Sequence, residues 1–549
     1  MDRHPRQRWA LDQRAVVGAV YVVTMFTSIL DSTVVNVALP TMARDFHVGT
    51  SSIEWVVTGY LLSLAAFIPA SGWLGDRIGT KRVFLAALLL FTVASALCGQ
   101  AHSVTELVVF RVLQGAGGGM LMPVGTAMLF RAFPPHQRAR ATSILIIPTV
   151  VAPASGPVLG GLLVDTLSWR WVFYVNVPIG LAALVFGAVY LHEHREPPRG
   201  RFDLGGFVLA GVGLPLVLYA ISQAPVVGWG APEVIGTLLG GLACFAALVP
   251  WELRRHDPML RLGLLGDRLF ALCNLTGVFA YASFLGILFV LPLFFQEGRG
   301  TSALVSGLTT FPEAVGVAVS SQLVARVYPR LGPRRLMAGG LVGVAVGMVA
   351  LALVGHGTSL WWVRLIVFAM GGSMSFVFVS LQTATFARVT PADTGQASAI
   401  YNTQRQVASA VGVAVLASVL TAVTPKVGTG SASTGPADLA GFHAAFAAAA
   451  GLAVVGALVA LWVRDADASG TMRSGPGRDS GSGAGGDDGQ GAAGPADVPV
   501  GVVGQGDVPD LDGPALPDGG GHGGEGAVAH RPEVAGVQLD AHHLVAGGH

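Results

Sequence analysis

The sequence predicts an all-α integral membrane protein with 14 transmembrane helices arranged 6+2+6. Three observations lead there. Of the 549 residues, 52% are hydrophobic and only 12% are charged, about half the charged share of a soluble domain. Residues 15–464 read as consecutive apolar segments, most of them near the roughly 20 residues an α-helix needs to cross hydrocarbon. The chain also repeats itself. Asp76-Arg77-Ile78-Gly79-Thr80-Lys81-Arg82 matches Pro329-Arg330-Leu331-Gly332-Pro333-Arg334-Arg335 at an offset of 253, and the same offset carries Arg111 onto Arg364. Two halves in the same order imply a parallel repeat about an axis along the membrane normal.

The predicted spans are 15–39, 52–71, 83–99, 104–127, 141–165, 171–191, 204–221, 233–251, 269–295, 303–325, 336–355, 359–386, 396–422 and 442–463. With an even number of spans and the N-terminus on the positive side, the segments up to Arg464 place 23 Lys and Arg on one face of the membrane and 4 on the other. The positive-inside rule then places both termini in the cytoplasm. The repeat assigns 1–14 to a cytoplasmic N-terminal segment, 15–191 to a first six-helix bundle and 192–268 to two inserted helices with their linkers. It assigns 269–464 to a second six-helix bundle. Residues 465–549, rich in Gly, Asp, Pro and Ala and without periodicity, read as a disordered cytoplasmic tail. A net charge of +1 gives no reason to expect nucleic acid, and Cys98, Cys244 and Cys273 sit in apolar segments with no disulfide or metal spacing. No metal site and no cofactor are expected.

Ionisable residues inside the spans carry the chemical information, because each costs about 2.5–3.5 kcal/mol at a helix centre. Asp31 in span one and Arg111 in span four lie at matched depths below the outer surface, which permits an ion pair in the first bundle. As a proton relay, Asp31 binds the proton and Arg111 sets its affinity; as a structural pair, the two orient helices. Glu313 in span ten, after Pro312, and Arg405 in span thirteen, flanked by Asn402 and Gln406, are candidates for a central cavity. Glu313 suits proton coupling or a cationic substrate, or is a partner for Arg405. Arg364 lies nearer the outer interface and reads as structural.

Two Gly-rich stretches complete the set. Gly72-Trp73-Leu74-Gly75-Asp76-Arg77-Ile78-Gly79-Thr80-Lys81-Arg82 is too short to wander and reads as a rigid charged latch, with Asp76 suited to a helix N-terminus, or else as a positive-inside anchor. In span five, Gly156-Pro157-Val158-Leu159-Gly160-Gly161 combines a G-x-x-x-G spacing, which lets helices approach closely, with a proline bend.

These stretches resemble the fourteen-span drug:proton antiporter branch of the major facilitator superfamily. Gly72 through Arg82 is similar to the superfamily signature between spans two and three. Arg111-Val112-Leu113-Gln114-Gly115 resembles its span-four motif, and Ser155 through Gly161 the antiporter motif. Leu30-Asp31-Ser32-Thr33-Val34-Val35-Asn36-Val37-Ala38-Leu39-Pro40 and Trp169 through Pro178 resemble segments around spans one and six. The resemblance covers about residues 15–464. It implies the major facilitator fold and a multi-pass protein of a bacterial plasma membrane, working by alternating access without a cofactor. Its partners would be protons, a small drug-like substrate and the lipid bilayer, with the monomer sufficient. It further implies that Asp31 and Arg111, with Glu313 added from its position, handle protons, and that Gly72, Asp76, Arg77, Gly79 and Arg82 form a conformational latch. Pro329 stands where Asp76 stands in the first half, so the second latch should be weaker. The alternatives are proton-coupled uptake of a small metabolite and a non-transporting membrane sensor. No clustered His, Cys or carboxylates suggest an enzyme.

Overall fold

Fifteen α-helices and no strands account for the regular structure among the described residues, apart from a few short helical turns. The computed structural model describes residues 12–195, 202–255, 257–423 and 439–472. The long helices are α1 (Gln13–Asp45), α2 (Trp55–Ile78), α3 (Thr80–Gln100), α4 (Val104–Ala132), α5 (Arg138–Thr166) and α6 (Trp171–Tyr190, with a turn at Val175). They continue with α7 (Leu204–Val227), α8 (Pro232–Arg254) and α9 (Arg268–Leu293). Next comes the element Ala303–Ala352, then α12 (Leu360–Thr385), α13 (Thr394–Val423) and α14 (Ala440–Ala460).

Among the described residues, twelve stretches are long and apolar enough to cross a membrane. The element Ala303–Ala352 is one of them, yet its 50 residues would reach about 75 Å at 1.5 Å per residue, more than twice the hydrocarbon thickness. Gly332, with φ of 76°, breaks it into two helices, α10 (303–331) and α11 (333–352). The helix α5, 29 residues long, is not among the twelve. Most helices run past the predicted spans at one end or both, because they continue beyond the apolar stretch into the flanking charged residues.

The two halves pair their helices in the same way. In the first, α1 packs on α5 and α6, α2 on α4, and α3 on α4 and α6; in the second, α9 packs on α13 and α14, and the α10–α11 element on α12 and α14. The halves meet along two seams, α2 with α13 and α5 with the α10–α11 element, and the repeat interchanges these seams. Among the described helices, the inserted pair has no counterpart in the repeat. Helix α7 packs on both α2 and α13, with Leu214 and Leu218 beside Ala65 and Val407, and Val217 and Ile221 beside Ala414. Helix α8 packs mainly on α7.

The tail boundary needs correction. Residues Asp465–Thr471 form a short 3-10 helix with Ala468 and Thr471 buried. Asp465 accepts a hydrogen bond from the Arg334 amide at 2.9 Å, and the Thr471 hydroxyl lies 2.9 Å from the buried Tyr328 hydroxyl. Composition hid this because the apolar contribution is small, Ala468 and Met472, and two polar side chains add the hydrogen bonds. The expected disorder of 473–549, like the segment 1–11, lies outside the described residues. A chain stopped after Met472 is therefore expected to match the full length in stability and activity. One stopped after Arg464 loses a helix cap worth about 1 kcal/mol and a buried hydrogen bond, and should melt measurably lower in detergent. Equal melting of the two truncated chains would show that the segment contributes nothing.

Candidate functional site

Asp31 and Arg111 meet inside the first bundle with both side chains fully buried. Arg111 Nη1 donates to Asp31 Oδ2 at 2.6 Å. Helices α1 and α4 bring them to one level, as their matched depths in the sequence permit. Two amides that the charge pattern does not reveal complete the carboxylate's shell. Gln114 Nε2 donates to Asp31 Oδ1 at 3.0 Å and Asn176 Nδ2 donates to the same oxygen at 2.8 Å. The guanidinium also donates through Nε to the Val56 carbonyl at 3.1 Å and through Nη1 to Gln114 Oε1 at 2.7 Å, and it lies 4.0 Å from the Tyr60 ring centroid. Asn176 further reaches Ser95 Oγ at 3.2 Å. Five of the six helices of the first half, α1, α2, α3, α4 and α6, thus converge on one ion pair. Gln114 stood one turn beyond Arg111 on the same helix face, a spacing that could have announced it. Asn176 had no local signal outside the motif that contains it.

Glu313 and Arg405 do not pair. Glu313 is 3% exposed and neither carboxylate oxygen has a hydrogen-bond partner among the described residues. It lies where α10 crosses α12, its backbone against Gly371, not on an open wall. Arg405 faces the first half instead, where Nη2 contacts Met122 Sδ at 3.6 Å. Asn402 is turned onto its own helix, donating to the Ser398 carbonyl at 2.9 Å, and is 3% exposed. Gln406 is partly exposed on the same helix. Arg364 stacks on Trp361 at 4.7 Å.

The residues expected to form a latch lie at the end of the bundle where α2 turns into α3. Gly79, with φ of 115°, makes the turn, as Gly332 does 253 residues later. Each lies beside an acid that follows the last helix of its own half, Glu193 and Asp465 respectively. Glu193 accepts from the Lys81 amide at 3.0 Å and sits 3.6 Å from Arg82 Nε; Asp465 takes the equivalent place on Arg334. So the second turn does have an acidic anchor, although it lacks a counterpart of Asp76. Asp76 Oδ1 accepts from Arg131 Nη2 at 2.7 Å, and its carboxylate lies against Gly395 at the start of α13, where the helix macrodipole favours an anion. Arg77 stacks on Trp73 at 5.3 Å. Arg131, one more cation at a helix end in the sequence, also donates to the Pro391 carbonyl of the other half at 3.1 Å. Arg138 donates to the Phe386 carbonyl at 2.6 Å, Ser398 donates to the Pro123 carbonyl at 2.7 Å, and the Phe130 and Phe386 rings stack at 4.3 Å. Gly72 touches the Gly395 carbonyl so closely that a Cβ would overlap it. These contacts draw the two halves together at this end.

In α5, Gly156 packs on Thr33 and Gly160 on Val34 and Val37, so α1 and α5 approach closely at both positions. A Cβ on Gly161 would meet nothing within 4 Å, so that glycine is not required by the crossing. Pro157 lies in the same helix.

Among the described residues, a two-half helical bundle with twelve stretches of membrane length, a buried ion pair and close contacts across the halves is a transporter architecture. The chain belongs to the Major Facilitator Superfamily, whose family model matches residues 21–413. It is 32% identical over 432 residues to a multidrug resistance protein B homolog of Mycobacterium tuberculosis, covering 75% of this chain and 80% of that one. It is 36% identical over 403 residues to the multidrug resistance protein Stp of the same species, covering 72% and 74%. A putative multidrug resistance protein MdtD of Serratia proteamaculans is 31% identical over 392 residues, covering 71% and 82%. Among solved structures, the human organic anion transporter TETRAN superposes with a TM-score of 0.58 at 15% identity, covering 81% of this chain and 99% of that one, a likeness of fold. The chain is a multi-pass membrane protein of a transporter family whose members are not enzymes.

Proposed function

We propose that this protein is a proton-coupled antiporter that exports small amphipathic drugs or antibiotics across a bacterial plasma membrane. It would cross the membrane fourteen times with both termini cytoplasmic, and act as a monomer without a cofactor. The halves 15–191 and 269–464 would rock about the gap between them, with α7 and α8 riding on one seam. The observation that carries this reading is the buried Asp31–Arg111 pair. Asp31 accepts from three side chains, and a proton on the carboxylate would remove the charge that holds Arg111 against it. Such a release would couple proton binding to movement of α4 against α1. Glu313, buried without a partner, is a second carboxyl whose ionised form would stand uncompensated, and it is the proposed proton site of the other half. The latch, with Asp76 at the start of α13, fits a cytoplasmic end that is closed here.

Names of relatives containing multidrug resistance support the substrate type. The test uses everted membrane vesicles acidified by respiration, with a dye that reports lumenal protons. Adding an amphipathic substrate should release protons from vesicles that contain this chain and not from control vesicles. A panel of such compounds that moves no protons, with the protein present in the membrane, would overturn the reading.

A further inference from the structure

Where the halves face each other, Arg405 has no acidic partner among the described residues. Arg405 lies on α13 about 16 Å in from that helix's latch-end start, at 1.5 Å per residue, close to the middle of the membrane. Its side chain is partly exposed. The two arginines nearer the latch, Arg131 and Arg138, each bond a carbonyl of the opposite half. Among the described residues, Arg405 reaches only the thioether of Met122, a weak acceptor. The two acids inside the spans do not serve it. Asp31 is closed within its own pair, and Glu313 is buried where α10 crosses α12. A charge at this depth is costly and marks a partner or a pathway.

Its surroundings are aromatic and hydroxylic. Tyr401 stands one turn before Arg405 on the same face of α13, Tyr281 is bonded to Tyr401, and the Tyr21 hydroxyl donates at 3.1 Å to the carbonyl of Met122, the residue Arg405 touches. The three tyrosines come from α1, α9 and α13, so both halves contribute. Tyr281 and Tyr401 hydroxyls are 2.6 Å apart and share one hydrogen bond. That bond uses one of their two protons and leaves the other available to donate. The Tyr281 ring stacks on Phe378 at 4.9 Å. A guanidinium, a phenolic donor and aromatic faces attract an anion with a ring and repel a cation.

We propose that the gap binds an aromatic carboxylate or similar organic anion, its charge on Arg405 and its ring among Tyr21, Tyr281 and Tyr401. This rests on the reading of the chain as an exporter and names the charge class of its substrate. The probes are 2-naphthoate, its neutral carboxamide and 2-naphthylmethylammonium, measured by equilibrium dialysis against the purified full-length chain. The carboxylate should bind at least about tenfold more tightly than the amide, and the ammonium ion more weakly than either. Arg405→Gln should abolish the preference for the carboxylate, and Arg405→Lys should retain much of it. Tyr401→Phe, which keeps the ring and removes the phenol pair, should weaken the anion more than the amide, a selectivity that a small loss of melting temperature from the broken buried hydrogen bond does not produce. That variant keeps the test decisive if Arg405→Gln proves unstable. An ammonium ion that binds as well as the carboxylate, or a preference unchanged in both Arg405→Gln and Tyr401→Phe, would overturn the proposal. The two readings fail separately. Cations pumped with protons while naphthoate is not bound would remove only the anion site. Selective naphthoate binding with no compound moving protons would remove only the exporter.

Discussion

Replacing Asp31 with asparagine is expected to end proton-coupled transport. Uphill efflux should fall by at least about 100-fold, equivalent to about 2.7 kcal/mol on the limiting barrier, because the amide keeps the shape of the carboxylate but carries no exchangeable charge. The same change strips Arg111 of its counter-ion while the guanidinium stays buried. Breaking a buried pair from one side costs about 3–5 kcal/mol, so the variant should also melt lower in detergent. Stability and coupling are separable. In the double variant Asp31→Asn, Arg111→Gln, two amides facing Gln114 and Asn176 can hydrogen-bond without an orphaned charge. That chain should recover most of the lost melting temperature and none of the uphill transport. If it pumps against a gradient, Asp31 is not the proton carrier and the pair is structural.

The second large effect is expected at the latch. Gly72 lies so close to the Gly395 carbonyl of the opposite half that no side chain fits between them. A leucine there is compatible only with halves that have separated at this end. Overpacking a tight contact costs about 1–3 kcal/mol or more, enough to reverse an equilibrium between two conformations that differ by only a few kcal/mol. Gly72→Leu should therefore hold the protein open at the latch end and stop turnover. The readout is a single cysteine at Ser398, whose side chain is 0% exposed and bonds Pro123 across the seam, in a background with Cys98, Cys244 and Cys273 replaced. A maleimide should label it rapidly in Gly72→Leu and slowly in the parent. Equal labelling together with normal transport would mean that this contact does not gate the cycle.

How much of this was legible depends on what kind of signal each residue leaves. Helix order followed from apolar length, and matched depth made the Asp31–Arg111 meeting possible, but their facing each other is set by helix rotation. The repeat located the second turn at Gly332, where the backbone takes the same left-handed region as at Gly79. Gln114 and Asn176 were harder, since an uncharged amide in an apolar helix is common and its partner is set by helix rotation. Glu193 and Asp465 were legible in principle, each being an acid just after the last helix of its half, but they look like ordinary surface charges until the fold brings them to Gly79 and Gly332. Glu313 and Arg405 were grouped because both lie near mid-membrane. Depth says nothing about which way a side chain faces, and the structure turns one into the α10–α12 crossing and the other toward Met122.

The most direct test of the account reconstitutes the purified chain in liposomes and imposes a pH gradient with no other energy source. The compound is one that releases protons in the everted vesicles. With an acidic lumen, protons leaving should drive that compound inward to a concentration above the outside, and collapsing the gradient with nigericin should return it to equilibrium. Accumulation that ignores the gradient, or that instead requires an alkaline lumen, would contradict proton antiport.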